Sequence, residues 1–547
     1  MSDHQGFSGG SLERLNAFIQ QRPVTRRQAL KGAAAIAGLA ALGPLASACG
    51  SSGTSTTASP SVAASPKMGG HIRSGVSGGS AKDTLDVAVA YYSEPEIAMS
   101  WQLYDSLLGF DPDHNLINLL AEEWEANADA TEFTVRLKSG LEFHNGKSVT
   151  ADDVVFTFER LLDPKTGAAG ADLLSDLKSG NTKKMDDLTV RFTLEKPNAI
   201  FWEALAFFPN GIVPEGYAPK GGKGAIGTGP WIIDNFSPGD QAVFKPNPNY
   251  WGEGPYAEKL TMIQFPDSTA RLNALLGGTV DHIDLVEGGQ ASVIQANPDF
   301  TLLEAKSGGW EPITMRIDAK PFDDVRVRQA FRLIADRQQM IDQALGGFGW
   351  LGNDMYAPYD PGYPTDLPQR TPDIEQAISL LKQAGYDNDL TVQFITSEAI
   401  GAGHVPAAQV FAEQAKAAGV TVNVKKVDPN AFWDGYGTYV FSQDYWGTRN
   451  FLAQTTLSTQ PNAPYNESHW KDAEWQALVD EAFKTSDETK RNELVKQAMT
   501  IEYERGGYIV WQHNVLLDAY SNKLTGVIPD TWGQSACKNR YNLMYFT

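Results

Sequence analysis

Apolar residues recur along the chain at two periods, and the switching between them sets out the elements. Thr150-Ala151-Asp152-Asp153 has the form of a capping box. Val154, Phe158, Leu161 and Leu162 follow on one helical face until Asp163-Pro164 stops it. Ser268 opens a short helix with Leu272, Leu275 and Leu276 apolar, ended by Gly277-Gly278. After Asp323-Asp324, the residues Val327, Ala330, Phe331, Ile334 and Ala335 fall at i, i+3, i+4, i+7 and i+8. Trp475, Leu478, Val479, Ala482 and Phe483 repeat that spacing, and each set predicts an amphipathic helix with one buried face. Strand patterns lie at 188–194, 231–233, 390–395, 420–424 and 508–512. From Asp373 to Val427 helix and strand patterns alternate, which predicts an α/β unit with a mainly parallel sheet. Residues 85–200 read as a meander. Two kinds of sheet in 547 residues argue for separate lobes.

The N-terminal segment follows neither pattern. Thr25-Arg26-Arg27-Gln28-Ala29-Leu30-Lys31 sets paired arginines ahead of the uncharged run 32–48. Seventeen residues at 1.5 Å each reach about 25 Å, short of a bilayer's hydrocarbon core. The run is a signal-peptide core rather than an anchor helix. Leu45-Ala46-Ser47-Ala48-Cys49-Gly50 resembles the lipobox of bacterial lipoproteins, which implies that Cys49 is acylated and becomes the mature N-terminus. The alternative is an ordinary small-residue cleavage site. Arg26 and Arg27 predict export by the twin-arginine route. Residues 50–67, rich in Gly, Ser, Thr, Ala and Pro, form a flexible tether with a mean span on the order of 20–25 Å. Removal of residues 1–49 leaves Cys537 with no intramolecular disulfide partner.

Composition narrows the function. Lys+Arg total 45 against Asp+Glu 66, for a net charge of -21. So acidic a chain gains no counterion-release affinity for phosphate backbones, which argues against nucleic acid as a partner. Two cysteines exclude a disulfide scaffold and a four-thiolate zinc site.

Catalytic motifs fail on context. Gly75-Val76-Ser77-Gly78-Gly79 fits G-x-S-x-G, yet no apolar helix follows it. Gly222-Lys223-Gly224-Ala225-Ile226-Gly227 fits G-x-G-x-x-G, but Thr228-Gly229-Pro230 cannot open the helix a dinucleotide site needs. The eight histidines show no pair at metal-ligand spacing, so no metal site is predicted. His144, in a turn, reads as a structural hydrogen-bonder. The pairs Asp152-Asp153 and Asp323-Asp324 answer to helix dipoles. Nothing here demands an enzyme or a cofactor.

Four stretches carry a resemblance. Leu141-Glu142-Phe143-His144-Asn145-Gly146-Lys147, continuing through Thr150-Ala151-Asp152-Asp153-Val154 to Arg160, is the first. Gly227-Thr228-Gly229-Pro230-Trp231 with Asn247-Pro248-Asn249-Tyr250-Trp251-Gly252 is the second. The third runs from Asp267 to Asp281, and the fourth is Pro321-Phe322-Asp323-Asp324-Val325-Arg326-Val327-Arg328-Gln329-Ala330. In this order, over about residues 69–547, they resemble the family-5 extracellular solute-binding proteins that serve ABC importers of dipeptides, oligopeptides and nickel.

The resemblance implies an α/β, two-lobed periplasmic-binding-protein-like fold of the cluster C type, with an extra subdomain in the first lobe. On this sequence, lobe I is expected at 68–93, 226–311 and 506–547, the inserted subdomain at 94–225, and lobe II at 312–505. The ligand would lie between lobes that close around it.

Peptide-binding relatives often carry W-x-x-D in a second-lobe loop, where the carboxylate pairs with the peptide's α-amino group. Here Trp446-Gly447-Thr448-Arg449 keeps the tryptophan and inverts the charge. A guanidinium in a partly desolvated cleft suits a carboxylate or another anion. Arg449 either meets the ligand or pairs with Asp444, and Asp444 either holds Arg449 or binds a ligand cation. Trp446, Trp433, Tyr436, Tyr439 and Tyr445 make this region aromatic, as a wall for varied ligands would be. Tyr91, Tyr92 and Trp101 are candidates near the first-lobe boundary. Trp310 and Arg316 flank the expected lobe crossing, where Arg316 reads as hinge rather than pocket.

The implied function is a monomeric substrate-binding lipoprotein, anchored to the outer face of the cytoplasmic membrane. It would capture a peptide-like or other small, anionic solute and deliver it to an ABC permease. The runner-up ligand is an oligopeptide held by its backbone. An oligosaccharide-binding or sensory solute receptor on the same fold is the alternative function.

Overall fold

Ile72 and Val76, Leu260 and Met262, and Trp231, Ala242 and Phe244 turn their side chains into one core, and a nine-stranded mixed sheet forms over it. The structure, a computed structural model, describes residues 66–219, 224–532, 535–537 and 540–547. The sheet's strands are β1 (His71–Ser77), β2 (Trp231–Ser237), β3 (Gln241–Pro246), β4 (Lys259–Phe265), β5 (His282–Ile283), β6 (Phe300–Met315), β7 (Gly349–Leu351), β8 (Phe441–Gln443) and β9 (Tyr508–Ser521). They lie in the order β8-β6-β9-β5-β1-β4-β3-β2, with β7 also paired to β9. β1 runs parallel to β4 and β5, and the other pairings are antiparallel.

β6 and β9 pair along most of their length. Phe300–Lys306 pair with Val515–Ser521. The register then slips between Lys306 and Trp310, and again between Glu311 and Pro312, before Trp310–Thr314 pair with Tyr508–His513. The first slip contains Gly308-Gly309. A Cβ on Gly308 would stand 2.8 Å from Thr448 Cγ2, and one on Gly309 would stand 2.9 Å from Asn514 Nδ2 and 3.2 Å from the Trp446 carbonyl. Glycine is what allows the 446–448 segment to lie against the crossing strand.

The meander expected over 85–200 is a four-stranded antiparallel sheet, in the order Ala121–Ala126, Glu132–Leu137, Thr189–Leu194, Leu177–Lys184. The helix Ala151–Leu162, started by the Thr150/Asp153 capping box, packs Val154, Phe158 and Leu161 into the same core as Phe133, Val135 and Phe192. Further along the chain the helix Ile374–Gln383, strand Thr391–Thr396, helix His404–Ala415 and strand Thr421–Lys426 alternate, and the two strands pair in parallel. The helices expected around 325–335 and 473–484 form as Val325–Ile334 and Ala473–Lys484.

The strand read at 508–512 continues to Ser521. His513, Asn514 and Asp518 break the apolar alternation there, but the strand is held by its neighbours and Asp518 is satisfied inside by the N–H groups of Leu285 and Cys537. The rejected motifs stay without their required context. β1 ends at Ser77 and the next helix begins at Glu94, while Thr228-Gly229-Pro230 leads into β2. Gly222 and Lys223 lie outside the described residues. His144 Nε2 lies 3.0 Å from the Gly229 carbonyl, and Gly227 N–H donates to its Nδ1 at 3.3 Å, so it clips the inserted sheet to the approach of β2. Burial pushes this imidazole's pKa down to about 4.

Met68–Thr547 is one compact unit. Arg26, Arg27, Cys49 and residues 50–65 of the tether lie outside the described residues. Among the described residues no helix is long and apolar enough to cross a membrane.

Candidate ligand-binding site

The segment after β8 returns against the crossing strand. Trp310 and Trp446 each donate a backbone N–H to the other's carbonyl at 2.9 Å, and their rings stack 6.0 Å apart at 16°. Trp310 is 1% exposed, with Tyr356 stacked at 4.8 Å and Tyr508 edge-on. Trp310 is therefore a plank behind Trp446. Trp446 in turn meets Tyr465 at 6.1 Å, Tyr465 meets Tyr436 at 6.1 Å, and Tyr436 meets Trp433 at 5.6 Å. The four rings make a continuous, half-buried aromatic wall. The indole N–H groups of Trp433 and Trp446 are buried and donate to no described residue, which leaves two donors for a ligand acceptor or water. Tyr445 packs on the small core of Ile395, Ile400 and Phe432, and Tyr439 donates its hydroxyl to the Ala431 carbonyl at 2.7 Å.

Beneath this wall lies a carboxyl pair. Asp444 is 4% exposed; it accepts from the Tyr436 hydroxyl and, at 2.9 Å, from the Tyr445 N–H. Its carboxyl also hydrogen-bonds that of Glu467, a contact that requires a proton. Burial pushes Asp444 up to about 6. Burial, and then the charge of Asp444, push Glu467 well above the usual carboxylate range. The two carboxyls can make that contact by sharing one proton between them.

Arg449 is not Asp444's partner. It is half-buried and makes no hydrogen bond or ion pair with any described residue. Its position is fixed from the next residue, since Asn450 Nδ2 donates to Glu203 Oε1 at 3.3 Å and the Phe451 N–H to Asp360 at 2.8 Å. Arg316 is engaged elsewhere, with Asp318 at 2.7 Å and the Thr438 carbonyl at 2.9 Å.

A second aromatic group gathers around Tyr91. Tyr91 packs on Tyr92, Phe207 and Phe208 at 6.1, 5.5 and 5.8 Å, and Trp101 packs on Phe208 at 4.8 Å. Charges of the two groups act on each other. The Arg449 charge acts on Tyr91 and Glu203, while Tyr92 and Asp172 act on Tyr465. Glu203 is pushed up to about 8, chiefly by burial and then by Asp360. Tyr91 and Tyr465 thus lie within electrostatic reach of the other group's charges, and Arg449 within reach of Tyr91.

Sequence reasoning missed Tyr465, Glu467 and Glu203. Tyr465 and Glu467 sit in an irregular polar stretch with no periodic signal. Glu203 lies in a five-residue helix, Trp202–Ala206, and its partner Asn450 is more than two hundred residues away in sequence.

The chain resembles known proteins along most of its length. Residues 115–466 match the family described as bacterial extracellular solute-binding proteins, family 5 Middle. Heme-binding protein A of Haemophilus influenzae is 28% identical over 476 residues, covering 80% of this chain and 86% of that protein. Di/tripeptide-binding protein 2 of Pseudomonas aeruginosa is 27% identical over 467 residues, covering 78% and 87%. The solved structure of HbpA2 from Haemophilus parasuis superposes with a TM-score of 0.76 at 25% identity, covering 87% of this chain and all of that one. The chain belongs to the bacterial extracellular solute-binding proteins of family 5.

Proposed function

We propose that this solute-binding protein captures a small peptide-like solute bearing an anionic group and delivers it to the membrane permease of an ABC importer. The observation that carries this reading is Arg449: a half-buried guanidinium with no hydrogen-bond or ion-pair partner among the described residues, near enough to Tyr91 and Glu203 for its charge to act on both. A desolvated cation of this kind favours a carboxylate through charge-assisted, often bidentate hydrogen bonds. Trp446, Tyr465, Tyr436, Trp433, Tyr92 and Trp101 supply area for stacking, and Asp444 with Glu467 closes the floor. The relatives named above are binding proteins, one for heme and one for di- and tripeptides, and the peptide reading follows the second.

In this reading 68–93, 226–311 and 506–547 form lobe I, 94–225 is inserted into it, and 312–505 form lobe II. β6 and β9 flex at Gly308-Gly309, and closure is driven by solute contacts made only in the closed state. Export through Arg26 and Arg27 and acylation at Cys49 hold the monomer at the outer face of the cytoplasmic membrane. Identification by mass spectrometry of a solute retained by the purified protein tests the reading. An anionic peptide-like molecule supports it. A neutral sugar favours the oligosaccharide receptor instead.

A further inference from the structure

Three side chains distant in sequence meet in the core of the main sheet. His282 lies on β5, Asp518 on the adjoining β9 and Cys537 on the C-terminal segment, each fully buried. The His282 Nε2 atom stands 3.4 Å from Asp518 Oδ2 and 3.5 Å from Cys537 Sγ, and the three donor atoms lie within 4.8 Å of one another.

Their arrangement separates two kinds of chemistry. A thiol–imidazole–carboxylate relay needs the carboxylate on one ring nitrogen and the thiol on the other. Here both face the same nitrogen, and full burial shuts out a substrate. The other nitrogen, Nδ1, is 3.0 Å from Ser74 Oγ, which is 2.7 Å from the Tyr541 hydroxyl. With Ser74 accepting from Nδ1–H and donating to Tyr541, the tautomer a metal ligand needs, the Nε2 lone pair would face the sulfur and the carboxylate. Asp518 is held equally firmly, by the N–H groups of Leu285 and Cys537, both at 3.1 Å. Supporting bonds of this kind orient the ligands of metal sites.

The spacing fits an ion. Bonds of about 2.0–2.3 Å in a tetrahedral zinc site set neighbouring donors about 3.3–3.8 Å apart, and the two separations around Nε2 fall in that range. Charge points the same way. Asp284, 1% exposed, is buried beside this group, and the neighbouring Arg271 guanidinium stands 3.7 Å from it. Among the described residues Arg271 is the cation that pairs with Asp284, and no Lys or Arg ion pair reaches Asp518.

We propose that His282, Asp518 and Cys537 form a structural site for a divalent cation of the zinc class, locking the C-terminal segment onto the main sheet. Binding displaces the thiol proton to solvent, so loading weakens in acid. The rival is a metal-free trio in which the thiol donates to Nε2.

The test uses the untagged exported chain, purified without chelators. Its zinc content is measured by elemental mass spectrometry, and the protein is then refolded with Co²⁺ as a spectroscopic probe. The site predicts about one zinc per chain and an intense thiolate-to-cobalt charge-transfer band. That band should be lost in Cys537→Ser at unchanged far-ultraviolet circular dichroism. Zinc-free protein that gives no cobalt band on refolding overturns the proposal. So does zinc without the band, or a band that survives Cys537→Ser. The wild-type measurements decide the matter even if the variant does not fold.

Discussion

Trp310 on the crossing strand and Trp446 in the loop after β8 exchange both backbone hydrogen bonds at 2.9 Å and stack their rings 6.0 Å apart. The aromatic wall is thereby fixed to β6, beside the register slip at Gly308-Gly309. In the proposed function a bend of β6 there would carry the wall with it.

The two tryptophans should separate on mutation. Trp310→Ala removes a ring packed on Tyr356 and Tyr508 as well as Trp446, and should lower the unfolding free energy by about 3–5 kcal/mol. Trp446→Ala, at a half-buried position, should lower it less but weaken solute binding by about tenfold or more. Urea titration and calorimetry on the same two variants check the split.

Gly308→Ala probes the close approach at the register slip. The added Cβ would meet Thr448 Cγ2 at 2.8 Å, and relieving that contact should cost about 1–3 kcal/mol. Thr448 precedes Arg449, so solute affinity should fall as well, although residue 308 contributes no side chain to the cleft. Unchanged thermal stability and affinity would contradict this account of the slip.

Glu203 sets a pH dependence whose sign is fixed. Its pKa rises from 4.5 to about 8 on folding, so the folded chain keeps a proton that the unfolded chain gives up between those values. The group's contribution to stability is complete below pH 4.5 and declines as pH rises toward 8. Glu203→Gln retains an oxygen for Asn450 and cannot ionise. Its urea midpoint should match wild type near pH 4.5 and exceed it at pH 8. Parallel curves for the two proteins across that range would refute the assignment.

Periodic elements could be read from the sequence because one buried face repeats: the helices at 151–162, 325–334 and 473–484 and the parallel pair at 391–396 and 421–426 follow from side-chain spacing alone. The full length of β9 could not, because His513, Asn514 and Asp518 are polar residues satisfied by tertiary partners. The candidate wall was half legible. Trp446, Tyr436 and Trp433 crowd one stretch of sequence, whereas Tyr465 joins them only through a loop return. Whether Arg449 pairs with Asp444 was open from sequence, since a proton shared with Glu467 cannot be foreseen without knowing that the two carboxyls meet. Convergence of residues 282, 518 and 537 is likewise invisible to any local spacing.

The central claim rests on Arg449. The most direct measurement is calorimetric titration of the retained solute, after its removal and identification, into wild type, Arg449→Lys and Arg449→Ala. A charge-assisted hydrogen bond to a ligand anion is worth about 1.5–3 kcal/mol, so Arg449→Ala should bind about ten- to a hundredfold more weakly, with Arg449→Lys in between and the thermal stability of the free proteins alike. Equal affinities in all three proteins would contradict the account.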